Sequence, residues 1–179
     1  RLNAEGEKEL DALGRVAHVM KIGFHGMDDA YYLNRYDAKY WHFDKNSKAE
    51  ADEIFSENTK LPFPNGKLFV FNDTVKPEAA ILIERDGGLL ITCDSIQHWV
   101  DNDVMSFLAK LLTRFLGFQK PAQIGPPWQK KQTPPGGSLK PDFERLTKLP
   151  FNRLIGGHGG LLETNANELL KLTIERELS

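Results

Sequence analysis

Residues Phe143 to Gly160, F-E-R-L-T-K-L-P-F-N-R-L-I-G-G-H-G-G, carry most of the information about the fold. They read as a short helix near Phe143 to Thr147, a strand from Phe151 to Ile155, and a turn from Gly156 to Gly160. A terminal helix from Asn165 to Leu178 follows. Four glycines around His158 permit sharp turning and close approach of backbone to another part of the chain. A flexible turn, or an anion held at the next helix N-terminus, are the plainer readings. The G-x-G-x-x-G spacing of a dinucleotide-binding turn is absent.

Upstream, the alternation continues. Polar residues up to Gly14 read as a helix with a glycine stop, and the apolar run from Val16 reads as a buried strand ending at Gly23. Asp28 and Asp29 are placed to cap a short helix carrying Tyr31, Tyr32 and Tyr36. Lys39 to Phe43 is a short strand, and the polar, acidic stretch from Asn46 to Glu57 is loop. Lys67–Asn72, Ala79–Glu84 and Leu89–Cys93 are three successive strands, the last two joined by an Asp86-Gly87-Gly88 turn. Val104, Phe107, Leu108, Leu111, Leu112 and Phe115 recur at helical spacing before Gly117. Residues 119–141 hold six of the ten prolines. So long a loop in a compact domain is often functional, and with Trp128 it could cover a cleft as a lid. The class is mixed α/β.

The 179 residues suit one domain at roughly 150 residues each. With 40% apolar and 27% charged residues, the chain is neither a disordered tail nor a membrane-embedded protein. The net charge of −2 supplies no dominant footprint for nucleic acid, and Cys93, as the single cysteine, excludes an internal disulfide. No apolar stretch approaches a membrane span, so neither a nucleic acid nor a membrane is an expected partner. A cytoplasmic location is expected, with Arg1 in place of Met pointing to a missing N-terminal part that could hold a signal peptide.

Three positions share a pattern. His25, Asp94 and His158 each follow a predicted strand and open a turn. Strand ends in layered α/β folds are where functional groups collect. Taken singly, His25 with Asp28 and Asp29 caps a helix, Asp94 is an N-cap, and His158 sits in a turn. Taken together they supply histidine and carboxylate, the donor types suited to Zn, Fe or Mn. His18 reads as a core residue, and His42 and His98, each beside a tryptophan, as packing or pocket wall. Lys130 and Lys131 read as solvated, and the tyrosine stripe as packing.

The ordered set resembles the metallo-β-lactamase-fold superfamily of hydrolases. The matching stretches are His25-Gly26-Met27-Asp28-Asp29-Ala30, Thr92-Cys93-Asp94 and Leu154-Ile155-Gly156-Gly157-His158-Gly159. Phe143 to Gly159, followed by Ala166-Asn167-Glu168-Leu169, is the most specific part. The resemblance implies an αβ/βα sandwich lacking its first strands, a single domain over residues 1–179, and metal-activated water as the nucleophile. Met27 and Ala30 stand where the family has histidines, and no histidine lies between His42 and His98 to supply the mid-chain ligand. Asp73 falls near that position. The resemblance therefore implies one ion of Zn, Fe or Mn held by His25, Asp29, Asp94 and His158, with Asp28 able to take the place of Asp29. Asp94 and His158 are the expected catalytic pair. The substrate would be a small ester, thioester, lactone or phosphoester. Two alternatives stand beside it: a metal-free scaffold acting as a binding or assembly module, and phosphate or nucleotide binding at the Gly156 to Gly160 turn. Cys93 is expected to be a buried strand residue rather than a ligand.

Overall fold

The structure, a computed structural model, describes residues 1–24, 26–43, 51–99, 106–115 and 120–178. In chain order the described elements are α1 (Ala4–Ala12), β1 (His18–Met20), α2 (Asp29–Tyr36), β2 (Lys39–His42), β3 (Glu53–Ile54), β4 (Gly66–Val70) and β5 (Ala79–Ile83). There follow β6 (Leu89–Ile91), β7 (Ile96–Gln97), α3 (Phe107–Phe115), β8 (Gln123–Ile124), α4 (Pro126–Gln132), α5 (Lys140–Leu146), β9 (Arg153–Ile155) and α6 (Ala166–Glu177).

The central sheet runs β4-β5-β6-β9, with β4, β5 and β6 antiparallel in sequence and β9 parallel to β6. Its strands are buried on both faces, which is why they read as nearly continuous apolar runs. Alternation along β5 sorts the core. Ala80 and Leu82 join Leu90, Leu154, Trp128, Phe143 and the α6 residues Leu170 and Ile174 on one face. Ala79 and Ile81 join Leu68, Trp41 and Phe55 on the other. A second sheet, β1-β2-β3, is parallel throughout, and the Ala79 amide donates to the Ile22 carbonyl at 2.8 Å to link the two. The α1 and α2 helices are fastened by polar contacts: Tyr31 to Glu7 at 2.8 Å and Tyr36 to Asp11 at 2.7 Å.

The consequence for function lies at one edge. The carboxyl ends of β4, β6 and β9 lie at the edge where β5 begins. Residues just past β1 and β2 reach it through the Ile22–Ala79 link. The segment linking β4 to β5 is held there by buried Asp142. Its carboxylate accepts the backbone N–H groups of Asn72 and Asp73 at 2.8 and 2.7 Å and pairs with Arg145 at 2.8 Å.

Two expectations are corrected. The proline-rich stretch is not a lid. It contains β8 and α4, and Trp128 is 3% exposed, packed edge-on against Phe71 and Phe143. Pro126 and Pro127 open α4, where a missing N–H costs nothing. Asp94 is not a helix N-cap either, because β7 follows it. Lys130 and Lys131 are exposed as expected.

Asp142→Ala removes the acceptor of two partly buried amide hydrogen bonds and leaves Arg145 without its buried partner. It is expected to lower unfolding stability by about 3–5 kcal/mol. Urea unfolding checks this; a loss below about 1 kcal/mol would show that the segment is held by other means.

Candidate active site

Asp94 follows β6 on a short turn whose shape is set by its own side chains. The buried Thr92 hydroxyl donates to the Ile96 carbonyl at 2.9 Å. Gln97 Nε2 donates to the Asp94 carbonyl at 3.3 Å, and Trp99 Nε1 donates to Gln97 Oε1 at 2.7 Å. The turn after β9 then packs on this segment backbone to backbone. Gly157 N–H donates to the Cys93 carbonyl at 2.7 Å and Gly160 N–H to the His98 carbonyl at 2.8 Å. A Cβ on Gly156 would lie 2.3 Å from the Ile96 oxygen, and one on Gly159 1.9 Å from the His98 oxygen. Gly159 also has a φ of +88°, a conformation open to glycine at little cost. The glycines are thus the means of close approach.

That packing seats His158 on Asp94. Nε2 stands 3.2 Å from Asp94 Oδ1, and the imidazole stacks on Trp99 with centroids 5.8 Å apart and planes 11° apart. The His158 side chain is 52% exposed.

Beneath the pair the surroundings are apolar and weakly acidic. Glu78, at the head of β5, is fully buried. Burial pushes its pKa up to about 8; the Trp128 indole and the Phe24 amide oppose the rise, and the charge of Asp94 adds to it. At neutral pH Glu78 is therefore mostly the neutral acid. Burial pushes the Cys93 thiol up to about 12, with Glu78 and Asp94 adding to the shift and Lys21 opposing it. A Cβ on Gly23 would lie 2.4 Å from Cys93 Sγ, so the turn after β1 rests directly on this thiol. Cys93 is a packed thiol rather than a thiolate donor.

Of the expected site residues, Asp94 and His158 come together. His25 lies outside the described residues. Asp29 is engaged elsewhere: the Lys21 ammonium pairs with its carboxylate, and Tyr40 donates to the same oxygen at 3.2 Å. Asp28 stands at the N-cap of α2 and makes no side-chain capping bond there. Asp73 stands in the segment fastened by Asp142. Among the described residues, no three His, Cys, Asp or Glu side chains form a metal-holding group. A catalytic ion takes about three protein ligands. Two donors are present, the third expected carboxylate is neutralised by Lys21, and Cys93 keeps its proton, so the described donors do not fit the four-ligand ion that the resemblance implies.

His18 accepts from Trp41 Nε1 at 2.9 Å, a structural role. His42 lines, with Phe24, Phe43, Lys76 and Pro77, a cavity of about 320 Å³ near this edge. The Gly156 to Gly160 turn is separated from the start of α6 by Leu161 to Asn165, so an anion in that turn would not sit at the N-terminus of α6. Sequence reasoning missed Lys21, Glu78 and Trp99. Lys21 and Glu78 carried a signal: each is a charge at the edge of an apolar strand run, an arrangement that calls for a partner or a shifted pKa.

No family profile matches the chain, and no curated protein does. Among solved structures, the fold is similar to that of an archaeal metallo-β-lactamase superfamily protein from Sulfolobus tokodaii, with a TM-score of 0.52. The likeness covers 94% of this chain and 70% of that one at 11% identity, which is a likeness of fold.

The Glu78 carboxyl binds its proton more tightly folded than unfolded. Its contribution to stability is complete below the ordinary carboxylate pKa of 4.5 and is lost as pH rises towards about 8. Stability should therefore fall over that window by up to ~1.4 kcal/mol per pH unit. Glu78→Gln should abolish this slope, as read by urea unfolding at several pH values. An unchanged slope in the variant would show that another group titrates.

Proposed function

We propose that the chain is a hydrolase built on an αβ/βα sandwich of the metallo-β-lactamase type, with the Asp94–His158 pair as its reactive centre. The observation that carries this reading is the 3.2 Å contact between Asp94 Oδ1 and an exposed His158 whose ring plane is set by Trp99. Substrates are small esters, thioesters, lactones or phosphoesters.

The chemistry uses the pair itself. With Nε2 donating to Asp94, the lone pair of His158 lies on Nδ1. Nδ1 takes a proton from water as the water oxygen attacks the carbonyl or phosphoryl centre. The imidazolium then returns that proton to the departing alkoxide or thiolate, so no net proton is held. The Asp94 carboxylate stabilises the imidazolium and fixes its tautomer, the role a carboxylate plays behind a histidine base. Such a base contributes about 10²–10⁴-fold. The fold likeness supports this reading in class alone, since function does not follow from fold.

A second reading, a non-catalytic binding module, is favoured by one observation: the Lys21 ammonium neutralises Asp29 where the resemblance places a metal ligand.

The test is a panel of aryl esters, thioesters, lactones and phosphoesters, assayed with chelator-stripped protein and with Zn, Fe or Mn restored. Stripped protein is expected to keep its activity, and His158→Ala to lower it about 10²–10³-fold. Activity that appears with metal alone and vanishes in His25→Ala would return the single-ion mechanism. Inactivity throughout would leave the binding module.

A further inference from the structure

The cavity that His42 lines has a composition of its own. Phe24, His42 and Phe43 give it ring walls, Pro77 adds an apolar one, and Lys76 brings an ammonium. Its volume is about 320 Å³. Small-molecule sites start at roughly 300 Å³ and combine apolar, aromatic walls with a few polar groups. Three stretches that end at the same edge supply the walls. Phe24 follows β1, His42 and Phe43 close β2, and Lys76 and Pro77 lead into β5.

These walls are tied to the rest of the fold. The His42 and Phe43 ring centroids are 5.1 Å apart, and His42 stacks on Tyr40 at 5.8 Å. Lys76 is pinned through its backbone: its N–H donates to Oε1 of the buried Gln132 at 2.8 Å. The Val75 N–H donates to the Gln132 carbonyl at 3.0 Å. From that anchored position the Lys76 ammonium reaches over the Phe24 ring, 4.9 Å from its centroid. No carboxylate among the described residues pairs with it.

An ammonium on the wall of a ring-lined cavity suits a ligand with a flat apolar body and a negative charge. A carboxylate carries one charge, which one ammonium balances, whereas a phosphate monoester carries about two at neutral pH. We propose that this cavity binds small aromatic carboxylates, with the ring among Phe24, His42 and Phe43 and the carboxylate on Lys76 Nζ. Binding is read without turnover, so this site and the Asp94–His158 chemistry stand or fall separately.

Calorimetric titration with naphthoate, its uncharged analogue naphthamide and the cation naphthylmethylammonium tests the proposal. Saturable binding at one site is expected, strongest for naphthoate, about fivefold weaker for naphthamide and weaker again for the cation. Lys76→Met keeps an unbranched stem over Phe24 and removes the charge. It should lower naphthoate affinity about fivefold and leave naphthamide unchanged. Lys130→Met, at an exposed lysine on α4, should leave both ligands unchanged. Phe43→Leu should weaken naphthoate and naphthamide alike, with urea unfolding confirming a native fold. Equal affinity for naphthoate and naphthamide in the native protein would overturn the proposal, as would naphthoate binding that Lys76→Met does not weaken. Absence of saturable naphthoate binding up to millimolar concentration would overturn it as well.

Discussion

The structure depends on how closely two stretches of backbone approach each other. Residues 156–160 lie against residues 93–98 at distances that leave no room for a Cβ on Gly156 or Gly159. Two amide-to-carbonyl hydrogen bonds close the contact. The same contact ends the parallel pairing of β9 with β6, so the strand that completes the central sheet and the turn that delivers His158 are set by one constraint. Asp94 is held from its own side by the Thr92 and Gln97 contacts. A histidine and a carboxylate far apart in sequence thus meet on two turns that are hydrogen-bonded to each other.

Much of this was legible in the sequence because its signals are local. Apolar runs bounded by glycine and aspartate marked β5, β6 and β9, and the glycines around His158 announced a close approach before its target was known. The two-residue strands β3, β7 and β8 were not legible, since so short a run has no period. Prolines around Trp128 read as loop, although two of them merely start α4. The fate of Asp29 could not be read either. Its pairing with Lys21 depends on how the turn between them folds back, and a carboxylate next to a strand end looks the same whether it holds a metal or an ammonium.

Charge balance unites two of the site residues that sequence reasoning missed, Lys21 and Glu78. Lys21 supplies a positive charge to Asp29 and bears on Cys93, and Glu78 keeps its proton in the apolar layer beneath Asp94. A carboxylate left charged in that layer would be costly. Lys21 thus offsets one carboxylate of this edge, and burial keeps the proton on another.

The central claim is that Asp94 directs the His158 imidazole. Long-range ¹H–¹⁵N correlation of the histidine ring nitrogens reads this directly. The account predicts that neutral His158 carries its proton on Nε2 and that Asp94→Ala releases it to the mixture of an unconstrained imidazole. A proton on Nδ1 in the native protein, or a tautomer that does not respond to loss of Asp94, would contradict it.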